Sequence, residues 1–371
     1  MAPGSMTTRS KTTRSSGGGP AIGLDIGTAN IVAYRTGPSE KSTQMEANAF
    51  FTVPSMPNTR KILEDKAVRF FEKDERLHIL GNAAEEFANI LGGTTRRPME
   101  DGLVNLKEDD GIQVIQAILD PMVPEPAQKG QPLWFSVPGD PLDRNGAVLF
   151  NESIFKTYLK GRGYTPRPIN EAMAVVVSEL SDQYATGIGI SMGGGMCNIC
   201  FSYLSIPAVT YSIQKGGDFI DQTVGRSVGE PATKIKGIKE QELDLSVAPR
   251  NNIEHGLHAA YDDLFAGLAD SLARVLRGSD NVPRLKQALP IVLSGGTVLP
   301  PGSRDVLCQH LLLLACAGDF DADRVERERQ AILQTLRRKV TLPGFRAGKV
   351  PLNLIRARFA ADLNEELVSP R

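Results

Sequence analysis

The chain has 371 residues, 41% of them hydrophobic, and a formal net charge of −1. This length allows two domains with substantial cores, and the composition is typical of a globular protein. The near-zero charge gives no general attraction to nucleic acid or anionic lipid, and no apolar run reaches the roughly 18 residues that a membrane span needs. We therefore expect no direct DNA binding and no transmembrane segment.

The first 20 residues are rich in Gly, Ser and Thr and carry Arg9, Lys11 and Arg14. They contain no apolar core of the kind found in a secretory signal. We interpret residues 1–20 as a disordered basic tail and expect a cytoplasmic protein.

The cysteine pattern is consistent with a reducing cytoplasm rather than a disulfide framework. The chain contains Cys197, Cys200, Cys308 and Cys316. The spacing of the first two allows a redox or metal role, but in a strand it directs the two thiols to opposite faces. We favour buried structural thiols, because free cysteine is usually a small core residue.

Two short apolar runs at 21–24 and 31–34 flank the stretch Asp25-Ile-Gly27-Thr28-Ala-Asn30. This pattern predicts a β-hairpin with a glycine turn. Gly27 lets the backbone approach an anion, and the side chains of Thr28 and Asn30 can donate to phosphate oxygens. Asp25 is suited to hold a hydrated Mg²⁺. An ordinary hairpin with a tight turn is the alternative.

The next elements follow from hydrophobic periodicity and turn residues. They are a strand at 45–53, a charged peripheral subdomain around 60–75, a helix at 82–91, a turn at Asp101-Gly102, a helix at 111–119, a strand at 133–137 and a helix ending near 159.

The hairpin pattern then occurs a second time. A helix at 172–180 precedes a strand at 187–190, the turn Gly193-Gly194-Gly195 and a strand at 196–203. Two such hairpins predict duplicated halves that face each other across a cleft, each with a phosphate-binding turn.

The remaining segments are mainly helical. The sequence predicts helices at 219–228 and 253–277, a strand at 290–294, a third turn at Gly295-Gly296-Thr297 where a nucleoside can pass close to the backbone, and a helix at 304–317.

These motifs resemble those of the actin-like ATPase superfamily, most nearly the bacterial MreB-type actins, over residues 21–314. The first two glycine turns resemble its phosphate loops, and 291–297 resembles its adenosine motif. The resemblance implies an α/β fold of two ribonuclease H-like duplicated domains around a nucleotide cleft, with ATP and Mg²⁺ as cofactors and with self-assembly into filaments or dimers. It sets domain boundaries at 21–165 and 166–317, with the second outer subdomain reduced.

The resemblance also assigns residues to the site. Asp25 would hold Mg²⁺ through water, and the nucleotide-binding residues would be Asp25, Gly27, Thr28, Ala29, Asn30, Gly193, Gly194, Gly195, Lys236, Gly295, Gly296 and Thr297.

Several positions depart from the family pattern. Ser191 stands where the second phosphate loop usually begins with Asp, and Met196-Cys197 replaces a Thr pair. Asn145 falls nearest a water-positioning Glu, and Asp143 is the adjacent carboxylate. Phosphoryl transfer depends on these roles, so we expect at most a slow ATPase.

The last segment, 321–371, has a different pattern. Two amphipathic helices flank Gly344-Phe345-Arg346-Ala-Gly348-Lys349, which resembles the ribosome-docking helical hairpin of trigger factor. The resemblance implies docking on the ribosome through 341–351, with Phe345, Arg346, Gly348 and Lys349 in contact. A plain basic helical hairpin and a gene rearrangement are the alternatives.

Two functions follow. The first is a cytoplasmic actin-like ATP-binding protein that assembles with itself or acts as a nucleotide-gated scaffold. The second is a ribosome-associated, chaperone-like accessory protein. A sugar or metabolite kinase of the same superfold is disfavoured, because the strand ending at Val137-Pro138 is not followed by a clear base.

Overall fold

The computed structural model describes residues 21–37, 41–142, 146–279 and 289–317. The chain divides into two compact units, Met1–Gln214 with Pro290–Val292, and Lys215–Leu289 with Leu293–Arg371. Asp143, Asn145, the predicted tail at 1–20 and the predicted docking hairpin at 321–371 lie outside the described residues. The domain boundaries expected from the sequence stay predictions.

The strands, in chain order, are β1 (Ala21–Ile26), β2 (Asn30–Thr36), β3 (Lys41–Ala47), β4 (Phe50–Pro54), β5 (Phe70–Lys73), β6 (Arg76–Leu80), β7 (Met99–Glu100), β8 (Leu103–Val104), β9 (Pro132–Val137), β10 (Thr165–Asn170), β11 (Gly187–Met192), β12 (Cys197–Tyr203), β13 (Ile206–Ile213) and β14 (Ile291–Ser294). The helices are α1 (Pro57–Asp65), α2 (Asn82–Ile90), α3 (Gly111–Met122), α4 (Ala147–Gly161), α5 (Glu171–Glu179), α6 (Gly217–Val228), α7 (Ala232–Gln241), α8 (Asn252–Gly278) and α9 (Ser303–Ala317).

The first large sheet has the strand order β3-β2-β1-β9-β10. Alternate residues of β1 and β9, such as Leu24 and Phe135, are buried with Ile118 of α3 and Leu159 of α4 in one hydrophobic core. This alternation is expected of a sheet that buries one face.

The second large sheet has the order β13-β12-β11-β14. In each sheet three consecutive strands form a meander. The first strand of that meander also pairs with a strand from later in the chain. The duplicated α/β architecture predicted from the two hairpins is therefore confirmed.

The charged region around 60–75 contributes a strand to a small separate sheet. The strands β4-β6-β5 form a small sheet, and Leu63, Leu77 and Ile79 are buried in its own core. The prediction of one strand over 45–53 is wrong, because β3 and β4 belong to different sheets. At the break between them, the Asn48 amide donates to Ala29 O and the Ala49 carbonyl accepts from Gly81 N.

Two strands, β10 and β13, were not predicted from the sequence. Pro166 and Pro168 obscure β10, and Pro207 obscures the start of β13. Both strands lie at sheet edges, where a missing backbone N–H costs no ladder bond.

The described part of the second unit is mainly helical. Leu257, Tyr261, Leu264 and Leu268 of α8 are buried, as the spacing of three and four residues predicts. Between α6 and α8 the described residues form α7 and its connecting turns. None of the described helices is both long enough and apolar enough to cross a membrane.

Candidate functional site

The turns of the two hairpins are closed by equivalent backbone hydrogen bonds. In the first, Gly27 N donates to Asn30 O at 3.0 Å; in the second, Gly193 N donates to Met196 O at 3.0 Å. Among the described residues, the amides of the two central positions of each turn have no acceptor. Those positions are Thr28, Ala29, Gly194 and Gly195. Successive free amides in a turn are suited to bind an anion.

Three loops meet at Thr28, whose side chain is 6% exposed. Its Oγ1 accepts from Gly102 N at 2.9 Å. A β-carbon at Gly195 would lie 2.6 Å from that same Gly102 nitrogen and closer still to Thr28 Oγ1. The first turn, the 101–102 turn and the second turn are therefore in direct contact, so the structure brings the two predicted phosphate-binding turns together.

Met196 occupies the space beside this junction. A β-carbon at Gly102 would lie 2.6 Å from the sulfur of Met196, and Gly102 also has a φ of +75°. The positive φ favours glycine at this position, whereas the flexible end of the Met196 side chain could move away from a β-carbon. Met196 thus takes a packing role where a hydroxyl residue is usual in the family that the motif resembles.

Asp25 lies at the end of β1, two residues before the first turn. Ser136 Oγ of β9 donates to Asp25 Oδ1 at 2.6 Å, and Ile26 N donates to Ser136 Oγ at 3.3 Å. Its carboxylate is accessible to solvent but largely surrounded by protein. Burial raises the pKa of Asp25, and the Ser136 hydroxyl opposes that rise.

A second carboxylate, Glu171, shares this region. We did not predict it as a site residue from the sequence. Ser191 Oγ donates to Glu171 Oε1 at 2.5 Å, and Asn198 Nδ2 donates to Glu171 Oε2 at 2.7 Å. Burial raises the pKa of Glu171 to about 8, and the negative charge of Asp25 adds to the rise. The two carboxylates are therefore close enough to repel each other.

Asn48 forms hydrogen bonds with two backbone carbonyls of the first turn. Its Nδ2 donates to Gly27 O at 2.8 Å, and its backbone N donates to Ala29 O at 2.9 Å. The residue is fully buried. No motif marks Asn48 in the sequence, because it reaches the site through contacts between distant segments. Asn170-Glu171-Ala172 resembles the start of the first connecting helix of the MreB-type actins, but this resemblance assigned Glu171 no role in the site.

The residues predicted to contact adenosine lie in the second unit. Lys236 is on α7, and Gly295 precedes a short 3₁₀ turn at Gly296–Val298. Thr297 is buried, and its carbonyl accepts from the Tyr261 hydroxyl at 3.0 Å. Their role in binding adenosine stays a prediction.

The two cysteines of the C-x-x-C sequence are buried in β12. Cys200 Sγ donates to Met173 Sδ at 3.7 Å, and burial raises the pKa of Cys200 to about 12. The described residues contain no group of three or more His, Cys, Asp or Glu that could hold a metal ion. The prediction of buried thiols is confirmed.

Two solved structures identify the fold. The structure described as a MamK double helical filament has a TM-score of 0.62 at 17% identity, and the match covers 79% of this chain and 90% of that chain. MreB 5 of Spiroplasma citri bound to AMPPNP has a TM-score of 0.55 at 15% identity, with 84% and 98% covered. The fold is therefore that of the actin-like proteins, as the motifs predicted.

Within this class, the chain belongs to the Volactin family, whose model matches residues 21–325. A second model, described as bacterial trigger factor protein, matches residues 316–370. The trigger factor of Koribacter versatilis (strain Ellin345) is 44% identical over 57 residues, which are 15% of this chain and 13% of that protein. The resemblance of the last segment to trigger factor is thus confirmed, although the chain spans only about an eighth of that relative.

Proposed function

We propose that this chain is a cytoplasmic actin-like protein that binds ATP with Mg²⁺ and hydrolyses it slowly. The contact of both glycine turns through Thr28 and Gly102 is the observation that carries the proposal. It gathers backbone donors from two hairpins at one place, which is what a polyphosphate requires.

The charges at this place fit a nucleotide with a metal ion. The free amides at 28–29 and 194–195 are available to the phosphate oxygens. Asp25 is the accessible carboxylate beside them and would hold the metal through its water. A bound Mg²⁺ would neutralise phosphate charge and relieve the repulsion between Asp25 and Glu171.

Hydrolysis requires a group that orients the attacking water. Glu171 is a carboxylate of the described chain beside the two turns, and its two hydrogen bonds fix its direction. Burial raises the pKa of Glu171 to about 8, so near neutral pH only a fraction of the chains carry the ionised carboxylate that can accept a proton from water. Ser191 brings no charge where Asp25 does in the first hairpin, so we expect a weak metal site and slow turnover.

Thermal unfolding with and without ligand tests the proposal. Mg·ATP at a hundredfold excess over its Kd should add roughly 2.7 kcal/mol to the free energy of unfolding, because it binds only the folded chain. AMP is the control, since it lacks the outer phosphates that the turns would bind. An unchanged melting temperature at millimolar Mg·ATP would contradict nucleotide binding.

Self-assembly into a filament or a nucleotide-gated scaffold is part of the proposal. It is supported by the shared fold with a protein solved as a double helical filament. Sedimentation of the chain with and without Mg·ATP measures it.

A second function is favoured by the match of residues 316–370 to trigger factor. We propose that Phe345, Arg346 and Lys349 allow the chain to dock on ribosomes. Arg346 and Lys349 would contact phosphate or acidic groups, and Phe345 would enter an apolar pocket. The contact would weaken as salt rises, because exposed charges are screened.

Replacing Phe345, Arg346 and Lys349 together by Ala should abolish co-sedimentation with ribosomes and leave the ATP-induced stabilisation unchanged. If the unmodified chain does not co-sediment even at low salt, docking is wrong. If the triple variant instead loses ATP binding, the segment takes the place of the closing elements of the actin-like domain.

A further inference from the structure

The cross-strand pair Ser191 and Asn198 lies at the base of the second glycine turn. The two residues are register partners on β11 and β12. Each donates one hydrogen bond, and each bond goes to a different oxygen of Glu171. A carboxylate held at both oxygens cannot rotate without losing a donor, so the pair fixes its plane.

The direction of the Asn198 amide is itself determined. Gly139 N donates to Asn198 Oδ1 at 2.9 Å. Because the oxygen of an amide accepts and its nitrogen donates, this bond turns Nδ2 toward Glu171. Gly139 is held in turn by Ser212, whose Oγ donates to Gly139 O at 2.8 Å.

The helix that carries Glu171 lies directly on the second hairpin. A β-carbon at Gly189 of β11 would lie 2.7 Å from Cγ2 of Val176 and closer still to Ala172 O. Only glycine permits this approach of α5 to β11. Asn170 caps the helix by accepting from Met173 N at 3.1 Å, which places Glu171 in its first turn.

We propose that Ser191 and Asn198 are positioning residues that hold the Glu171 carboxylate beside the two glycine turns. The proposal rests on the proposed function, in which Glu171 orients the attacking water. Ser191 takes the place in the second hairpin that Asp25 takes in the first, two residues before the turn glycine. An Asp there would put two carboxylates at hydrogen-bond distance, whereas Ser supplies a donor.

The hydrogen bond is tested first in the chain without nucleotide. A double-mutant cycle compares the melting temperatures of Ser191→Ala, Glu171→Ala and the double variant. Ser191→Ala should lower the melting temperature by roughly 2 °C in the unmodified background, the size expected for one lost hydrogen bond. It should have little effect in the Glu171→Ala background.

The positioning role is tested by single-turnover ATP hydrolysis and by the Kd for Mg·ATP, measured on the full chain. Ser191→Ala and Asn198→Ala should each slow hydrolysis on the order of tenfold or more, since a misplaced group loses its advantage of orientation. The Kd should stay nearly unchanged. Ser191→Thr keeps the hydroxyl and should restore most of the rate.

The matched control is Ser202→Ala on β12, the strand that carries Asn198. Ser202 is fully buried and donates to Ala185 O at 2.7 Å. Its replacement by Ala therefore removes a comparable hydrogen bond that does not involve Glu171. The proposal is overturned if Ser202→Ala slows hydrolysis as much as Ser191→Ala does, or if the melting cycle is additive. A chain that shows no ATP-induced shift refutes the proposed function, and the melting cycle then decides the Ser191–Glu171 contact alone.

Discussion

Gly195→Ala should abolish the stabilisation of the chain by Mg·ATP. The new β-carbon would lie 2.6 Å from the backbone nitrogen of Gly102 and closer still to the Thr28 hydroxyl oxygen, well inside van der Waals contact, so at least one loop must move. The backbone at 102 cannot yield as a flexible side chain does. We expect the roughly 2.7 kcal/mol given by a hundredfold excess of ligand to fall to near zero. The free energy of unfolding without ligand should drop by about 1–3 kcal/mol from overpacking.

Two other glycines provide matched controls for this variant. A β-carbon at Gly193, in the same turn, would meet only Met196 O at 3.6 Å, which is ordinary contact. Gly193→Ala should therefore leave the ligand-free stability unchanged. A β-carbon at Gly225 would lie 2.7 Å from Glu230 O, so Gly225→Ala destabilises the chain without touching either turn. If Gly195→Ala keeps the full shift by Mg·ATP, the contact of the loops is not needed for binding.

The elements that the sequence predicted well share a local cause. The two glycine turns lie between short apolar runs, and the long helix α8 has an unbroken apolar face, so their signals are contained within a few residues. The Asp101-Gly102 reversal was predicted for the same reason, and both residues have positive φ in the structure.

The elements that were missed depend on distant parts of the chain. Glu171 reaches the site only because Gly189 lets α5 approach β11, a packing contact that no local pattern encodes. The sequence around Asn48 predicts a continuous strand, whereas in the structure its backbone amide donates to Ala29 O at the break between β3 and β4. The prolines of β10 are acceptable only at a sheet edge, and edge position is a property of the whole sheet. The positions of the turns were thus predictable from the sequence, but the residues packed behind them were not.

Lys239→Met should cost about 3–5 kcal/mol of the free energy of unfolding, because it leaves a buried charge without its partner. Lys239 Nζ is 2.8 Å from Asp221 Oδ2, and the two side chains are 7% and 4% exposed. The same ammonium donates to Gly217 O at 2.9 Å. Within the described residues, Asp221 Oδ1 is buried without a hydrogen-bond partner, so Asp221 depends on Lys239. Chemical denaturation at about pH 8, above the pKa of Asp221 in the unmodified chain, measures the loss.

Lys234→Met on the same helix is the control. Lys234 pairs with Glu230 at 2.7 Å, but their side chains are 52% and 33% exposed, so the loss should be below about 1 kcal/mol. Removing both charges, with Asp221→Leu and Lys239→Met, should recover most of the stability, since a buried ion pair is often no better than apolar packing. Equal losses for Lys234→Met and Lys239→Met would show that burial of the pair is unimportant.

The cost of Lys239→Met should also depend on pH. Burial raises the pKa of Asp221 from 3.8 to about 6, and Lys239 opposes that rise. A raised pKa means that the folded chain binds this proton more tightly than the unfolded chain does. Protonation of Asp221 therefore stabilises the fold fully below the pKa of the unfolded chain, and this stabilisation is lost as pH rises through the pKa of the folded chain. Without Lys239 the pKa rises further, and a protonated Asp221 carries no charge to leave unpaired. The difference between Lys239→Met and the unmodified chain should therefore be small near pH 4 and larger near pH 8, above the pKa of Asp221 in the unmodified chain. An equal cost at pH 4 and at pH 8 would mean that the unpaired charge of Asp221 is not the cause. The loss would then come from the hydrogen bond that Lys239 donates to Gly217 O.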